Sequence, residues 1–425
     1  MSFQQGLSGL DTASAALDTI GNNVANSGTV GFKQSTTLFA DVFAASLSGA
    51  GTAPIGLGSR VAGVAQQFTQ GNVSVTGNAL DMAINGGGFF RLQNATGDIL
   101  YSRNGQFQLD KDGYIVNAKG QELMGYNADT NGAISSALAP LRLFDPTTAS
   151  DAKPQTTGGS ATASGVQANV NLDSTQPAIT ATFDPTIAST YTKSTAVTVY
   201  DSLGNSHTMS MYFQKTGPGA WNLYTTLDND PATVSAATPV QFDSTGALAT
   251  SGTPPVITAP PGGIIAESFA VTTGATTPLA FNLNLTGSTQ YGSAFAVNSM
   301  VQDGYASGKL AGFSIGTDGV IVGRYTNGQS KDLGQVILAN FRNPQGLQPL
   351  GDNTWTATSD SGTEMIGPPG SSSQFGPVQS AALEDSNVDL TKELVAMIVQ
   401  QRAYQANAQT IKTQDQVLQT LVNLR

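Results

Sequence analysis

The chain has 425 residues, with 18 Lys or Arg, 29 Asp or Glu and 48 Gly; its 11% charged fraction is less than half the roughly 25% of an ordinary soluble protein. It has no Cys and one His, which excludes disulfides, thiolate metal sites, Cys nucleophiles and multi-His centres, and confines any Ser-His-Asp triad to His207. A net charge of −11 argues against a nucleic-acid or anionic-membrane partner, and no apolar run approaches the ~18 residues of a membrane-spanning helix.

The opening residues, Met1-Ser2-Phe3-Gln4-Gln5, lack the basic region and apolar core of a cleavable signal, so none is expected. A helix is predicted over residues 1–30. Phe3, Leu10, Leu17 and Val24 recur every seventh position, with Leu7, Ser14 and Gly21 as companions and Ile20 among the apolar set. Asn26-Ser27-Gly28 supplies its stop. Asp11 and Asp18 are the only charges as far as Phe32.

The pattern then changes to short apolar alternations divided by turn residues. Gly86-Gly87-Gly88-Phe89 lacks the frame of a phosphate loop and reads as a tight turn into the strand Phe89 to Leu92. Asp110-Lys111-Asp112-Gly113 lacks the remaining ligands of a calcium loop and reads as a hairpin turn between Phe107, Leu109 and Ile115, Val116. The same arrangement returns 206 residues later as Phe313, Ile315, Asp318-Gly319, Ile321 and Val322. One β-rich core domain, built from residues 71–147 and 298–377, is therefore expected, with 31–70 and 378–385 as a connecting segment.

Residues 148–297 differ in character. They are rich in Thr, Ser, Ala, Gly and Pro, including Pro254-Pro255 and Pro260-Pro261, and carry strand patterns at Thr195–Tyr200, Thr208–Phe213, Trp221–Leu227 and Phe281–Leu285. An inserted all-β domain, sandwich-like or barrel-like, is expected. His207, after the turn Asp201 to Ser206, reads as an ordinary surface or turn histidine, since no Gly-x-Ser-x-Gly elbow supplies a nucleophile. No catalytic, metal or cofactor site is expected.

The C-terminal segment 386–425 has the clearest periodicity. Leu390, Met397, Tyr404, Ile411 and Leu418 are seven apart, and Leu394, Gln401, Ala408, Asp415 and Val422 fill the alternate step. Ser386 with Asp389 reads as the helix start. Amides such as Gln400, Gln405, Asn407, Gln409 and Gln416 replace the usual Lys and Glu of a solvated face. Neither terminal helix can bury its stripe alone, so the two are expected to pair as a coiled coil at one pole. An ordinary two-helix core is one reading; the other is self-assembly, in which amide faces pack against identical copies and the termini order only on assembly. The fold class is multidomain α+β.

Specific residues carry a resemblance. Gly6-Leu7-Ser8-Gly9-Leu10, Asn22-Asn23-Val24-Ala25-Asn26 and Gly31-Phe32-Lys33 resemble the N-terminal signature of the bacterial flagellar rod-and-hook axial proteins. At the other end Asn387, Asp389, Gln401, Arg402, Gln405 and the final Leu421-Val422-Asn423-Leu424-Arg425 are similar to that family, as are Gly88-Phe89-Phe90, Tyr101 to Gly105 and Gly120 to Tyr126 internally. Length and the insert resemble the hook type more than the shorter distal-rod type; a rod-type protein with an insertion and a secreted adhesin are the alternatives. The resemblance implies a homopolymeric curved tube acting as a universal joint, located in the extracellular flagellum. It also implies export through the flagellar type III apparatus, and a distal rod protein, a hook cap and a hook–filament junction protein as partners. Phe3, Leu7, Leu10, Leu17, Ile20, Val24, Leu390, Leu394, Met397, Tyr404, Ile411, Leu418 and Leu421 are the expected polymerisation residues. With no Cys, a Cys-dependent crosslink between subunits is closed to this chain.

Overall fold

A computed structural model of the chain describes residues 2–42, 56, 58–129, 132–144, 154–159, 165–249 and 263–423. Among the described residues two long helices, α1, Ser2–Ala25, and α2, Leu390–Asn423, bracket a series of β-strands joined by turns and short 3-10 segments. α1 stops where the Asn26-Ser27-Gly28 signal predicts. α2 begins four residues after Ser386, because Asp389 is its cap: the carboxylate accepts the N–H groups of Thr391 and Lys392 at 2.9 and 3.2 Å. The expected start at Ser386 is thus corrected. An aspartate satisfies the orphan donors of the first turn and meets the positive end of the helix dipole.

The chain divides into two compact units. The first comprises Met1–Ser150, Gly312–Arg324 and Ser330–Arg425. It holds both helices, an antiparallel pair β1 (Ser35–Val42) and β2 (Gly58–Gln66), and a large sheet drawn from both halves of the chain. Strand Glu122–Ala128 is the seam: Leu123 lies opposite Leu92 on one side, and Tyr126 lies opposite Gln335 on the other. The hairpin Phe107–Leu109 with Ile115–Asn117 turns through Asp110, whose carboxylate accepts the N–H groups of Asp112 and Tyr114 at 3.0 and 2.8 Å. Strands Leu310–Ile315 and Val320–Tyr325 form the expected second hairpin in the same sheet. Met82, Phe90, Leu92, Ile115, Leu123, Leu141, Ile321, Val336 and Leu338 make one apolar core. Phe89, Tyr101, Phe341 and Trp355 make a smaller aromatic one, with edge-on ring contacts.

The second unit, Asp151–Ala311 and Tyr325–Gln329, holds two sheets around a single core. One sheet contains β3 (Gly165–Asp173) and the other is an antiparallel run of β4 (Lys193–Tyr200), β5 (Ser206–Gly217), β6 (Ala220–Leu227) and β7 (Thr238–Gln241). The first sheet is completed by β8 (Ile264–Phe269), β9 (Leu279–Asn284), β10 (Thr289–Tyr291) and β11 (Ala296–Gln302). Burial alternates along β8 and β9, so Ile265, Phe269, Phe281 and Leu283 meet Met211, Phe213, Trp221 and Leu223 inside. β11 straddles the boundary expected at residues 297 and 298 but pairs along β3, so the second unit extends past that point. Pro254, Pro255, Pro260 and Pro261 lie outside the described residues.

His207 is not the surface or turn histidine expected from the sequence. It lies on β5, is 7% exposed, and is held between two carboxylates: Nδ1 is 2.7 Å from Asp228 and Nε2 is 3.4 Å from Asp201. The turn Asp201–Asn205 forms as expected, but Asp228 arrives from the far end of β6, a contact no local pattern shows.

Candidate assembly site on the terminal helices

α1 and α2 run antiparallel, with Gly6 against Asn407 and Ile411 while Asn23 reaches Glu393. The face of α1 turned inward is Gly6, Gly9, Ala13, Ala16, Ile20 and Asn23, small side chains as far as Ala16 and larger ones beyond it. Opposite it stand Glu393, Ala396, Gln400, Ala403, Asn407 and Ile411, buried or half-buried. Small side chains let two backbones approach closely, which neither apolar stripe would permit.

This corrects the expected pairing. Leu390, Leu394, Tyr404 and Leu418 are exposed, together with Val395, Ile398, Val399 and Val417. On α1, Phe3 and Leu7 are 46% and 45% exposed; Leu10, Leu17 and Val24 are half-buried and Ile20 is buried. Met397 and Ile411 are half-buried, and the side chain of Leu421 lies outside the described residues. Of the amides only Gln400 and Asn407 are thus turned to α1, with Gln401, Gln405, Gln409 and Gln416 exposed, while most of the apolar stripe of α2 other than Ile411 is left outward. Two clefts of about 300 and 500 Å³ run beside α2, both bordered by Phe39 of β1 and by Gln400.

A pair of glycine substitutions tests the close approach. Alanine is favoured over glycine in a helix by about 1 kcal/mol. At Gly21 a Cβ would meet nothing within 4 Å, whereas at Gly9 it would lie 2.6 Å from Asn407 Nδ2. Gly21→Ala is expected to raise the helical melting midpoint, and Gly9→Leu to lower stability by about 1–3 kcal/mol through overpacking. Circular-dichroism melts giving the reverse order would contradict this packing.

Polar residues fix the helices to the sheets. Asn23 donates to the Ser35 carbonyl at 2.8 Å, accepts from the Ser35 N–H at 2.9 Å and reaches Glu393 at 3.3 Å. Asn387 accepts from the Gln34 N–H at 2.7 Å and donates to the Gln67 carbonyl at 2.8 Å. Asn26 donates to the Asn22 carbonyl at 3.0 Å and accepts the Thr29 hydroxyl at 3.1 Å, shaping the turn out of α1. Phe32 is half-buried, while Asn22, Gln401, Arg402 and Gln405 are exposed.

The Lys33 ammonium, fully buried, lies 2.7 Å from one oxygen of Glu384, whose other oxygen accepts from Arg103 at 3.1 Å. The same carboxylate takes the Gly71 N–H at 2.9 Å, and Lys33 also donates to the Thr69 carbonyl at 2.8 Å. Burial pulls the pKa of both cations below their ordinary values, and the Glu384 charge opposes it. Gly31, with φ of +71°, passes so close to Arg103 and Asn104 that a Cβ would strike their backbone, and its N–H donates to the Glu384 carbonyl at 2.8 Å. Glu384, Arg103, Glu393 and Gln34 are residues of this polar network that periodicity misses. The resemblance stretches include Arg103, Glu384 and Glu393, but nothing local in the sequence shows that they meet.

Four family descriptions match the chain: "Flagella basal body rod protein" over residues 3–33 and "Flagellar hook protein FlgE/F/G D1 domain" over 83–175, then "Flagellar basal body protein FlaE D2 domain" over 171–305 and "Flagellar basal body rod FlgEFG protein C-terminal" over 379–424. Flagellar hook protein FlgE of Salmonella typhimurium is 45% identical over 430 residues, covering all of both chains. That of Escherichia coli is 44% identical over 432 residues, again covering both in full. FlgE of Borreliella burgdorferi is 33% identical over 450 residues, covering 100% of this chain and 99% of its own. A crystal structure of Helicobacter pylori flagellar hook protein FlgE2 shares the fold at a TM-score of 0.51 and 14% identity, covering 73% of this chain and all of its own.

Proposed function

This chain belongs to the flagellar hook protein family, and from that footing we propose that it stacks on identical copies through its terminal helices to build a curved, flexible tube that carries torque. The observation that carries this reading is the outward apolar stripe of α2. Leu394, Val395, Ile398 and Val399 are each 49–57% exposed, side by side on a helix whose other face is already occupied. An apolar patch of this kind on a lone subunit marks an interaction surface. Packing it against the helices of neighbouring copies would complete a coiled-coil layer, and a contact repeated head to tail without closure yields a filament, not a ring.

Under this reading Phe3, Leu7, Leu390, Tyr404 and Leu418 are polymer contacts, whereas Asn23, Gly31, Lys33, Asn387 and Asp389 hold the helices in position. Residues 31–70 and 378–385 act as the joint between helices and sheets. The second unit is a two-sheet sandwich. The chain's role is structural, without catalysis, and the rod, cap, junction and export proteins are the chain's further partners. Exposed polar surfaces with few fixed ion pairs can shift past one another at low energetic cost, which suits bending.

Leu394→Asp and Val399→Asp test the stripe, both sites being half exposed in the subunit. Under conditions where the parent protein forms tubes by electron microscopy, both variants are expected to keep their helical spectrum and to stay monomeric. Tubes of ordinary length and number from both variants would remove the stripe from the assembly.

A further inference from the structure

The outer faces of the two terminal helices carry opposite charge. On α1 the line opposite the packed face runs through Gln4, Leu7, Asp11, Asp18, Asn22 and Ala25, all exposed. Asp11 and Asp18 are the only charges of that helix, and both stand on this line. On α2 the corresponding line is Thr391, Val395, Ile398, Arg402, Gln405, Gln409 and Lys412, again exposed throughout, with Leu394 beside it. Its two charges are both cations. The carboxylates of α2 lie elsewhere: Glu393 is buried against Asn23, and Asp415 accepts from Gln419 at 3.1 Å. Among the described residues none of Asp11, Asp18, Arg402 and Lys412 has an ion-pair partner. Each points away from the other helix, so a single subunit cannot pair them.

We propose that the outward face of α2 takes the outward face of α1 from a second copy of this chain, acids of one copy against cations of the next. This pairing rests on the assembly reading above and names what covers the apolar stripe. Charge selects the occupant. α2 on α2 sets Arg402 and Lys412 against their own kind, and α1 on α1 does the same with Asp11 and Asp18; only α1 on α2 is complementary. Leu7 with Phe3 beside it, and Leu394, Val395 and Ile398 opposite, supply the apolar part of the contact. With the helices running along the tube, stacked copies keep the antiparallel sense of α1 and α2, which sets Asp18 against Arg402 and Asp11 against Lys412. The acids stand about 10 Å apart along their helix and the cations about 15 Å, a difference that the long Lys and Arg stems take up. Because the two faces differ, the contact is heterologous and repeats without closing.

Charge exchange in the full-length chain tests the pairing, with tubes read by electron microscopy. Arg402→Glu with Lys412→Glu is expected to raise the protein concentration needed for tubes on the order of tenfold or more, as is Asp11→Lys with Asp18→Lys. The chain carrying all four substitutions should form tubes near the parent concentration. Such rescue can come only from contacts between copies, because the acids and cations face away from each other within one subunit. The absence of native Cys gives a second readout. Oxidised tubes carrying both Asp18→Cys and Arg402→Cys should yield a ladder of linked chains on a denaturing gel, and neither single variant should. Ordinary tubes from both charge-reversed variants, no rescue in the fourfold variant, or oxidised tubes without a ladder overturn the pairing. If Leu394→Asp still blocks tubes in that case, the helix-driven assembly stands without it. If the unmodified protein forms no tubes, the assembly reading falls and the pairing falls with it.

Discussion

Glu384→Ala is expected to destabilise the first unit by about 3–5 kcal/mol, the usual penalty for breaking a buried ion pair by removing one partner. The carboxylate is the shared acceptor for Lys33 and Arg103, both buried, and it also takes the Gly71 N–H. Its loss leaves two cations facing each other in a site already short of acceptors, since Arg103 Nε has no partner among the described residues. Arg91 and Glu364 make the control. Their ion pair at 3.0 Å is partly open to solvent, with the Glu364 side chain 27% exposed, so Glu364→Ala should cost less. Each unit holds one of the chain's two tryptophans, Trp355 in the first and Trp221 in the second. Denaturant unfolding in a Trp221→Phe background therefore reads the first unit alone. Equal losses from Glu384→Ala and Glu364→Ala would show that the buried triad is not what holds the chain ends to the sheets.

Raising the pH from 5 to 8 is expected to weaken the second unit, and Glu267→Gln to remove most of that loss. Burial raises the Glu267 carboxyl to about 7 from its ordinary 4.5, with the 2.7 Å hydrogen bond from Thr225 opposing the shift in part. A folded-state pKa above the unfolded value means that the folded chain binds the extra proton. Stability is thus full below about 4.5, falls as pH rises through about 7, and is then lower by about 3 kcal/mol. His207 acts in the same direction. Burial lowers its pKa, but hydrogen bonds to Asp228 and Asp201 outweigh this and raise it. Its stabilisation is present below the ordinary 6.5 and is lost as pH passes the higher folded value. Thermal unfolding followed through Trp221 in a Trp355→Phe background should show the slope, and as the only histidine His207 titrates as a single resonance. A flat profile for the parent protein, or an unchanged profile for Glu267→Gln, would contradict this assignment.

Much of the fold was legible because it depends on short-range pattern. The stop at Asn26-Ser27-Gly28, the hairpin turn at Asp110–Gly113 and the strands around Thr208–Phe213 and Trp221–Leu227 all appear where their residues place them. The pairing face of the helices was not legible in the same way. α1 carries two seven-residue repeats, Phe3-Leu10-Leu17-Val24 and Gly6-Ala13-Ile20 with Gly9-Ala16-Asn23. Hydrophobicity picks out the first, yet the second meets α2. Periodicity reports that a face exists, not whether its partner is in the same chain or in another copy. The capping aspartate was similarly ambiguous, because Ser386 and Asp389 are both competent caps and only the path of the preceding loop selects one.

The sequence by itself determined a charge-poor, thiol-free chain with helical ends and a β-rich interior, because composition and period are local properties. Its end motifs also placed it in its family. The tertiary structure alone decided which groups meet across long separations: Lys33 with Glu384, 351 residues apart, and Asn23 with Glu393, 370 apart. It alone showed the apolar residues Leu394, Val395, Ile398 and Val399 of α2 facing outward. Those are facts about burial, and burial depends on what the rest of the chain brings to each residue, which no local pattern contains.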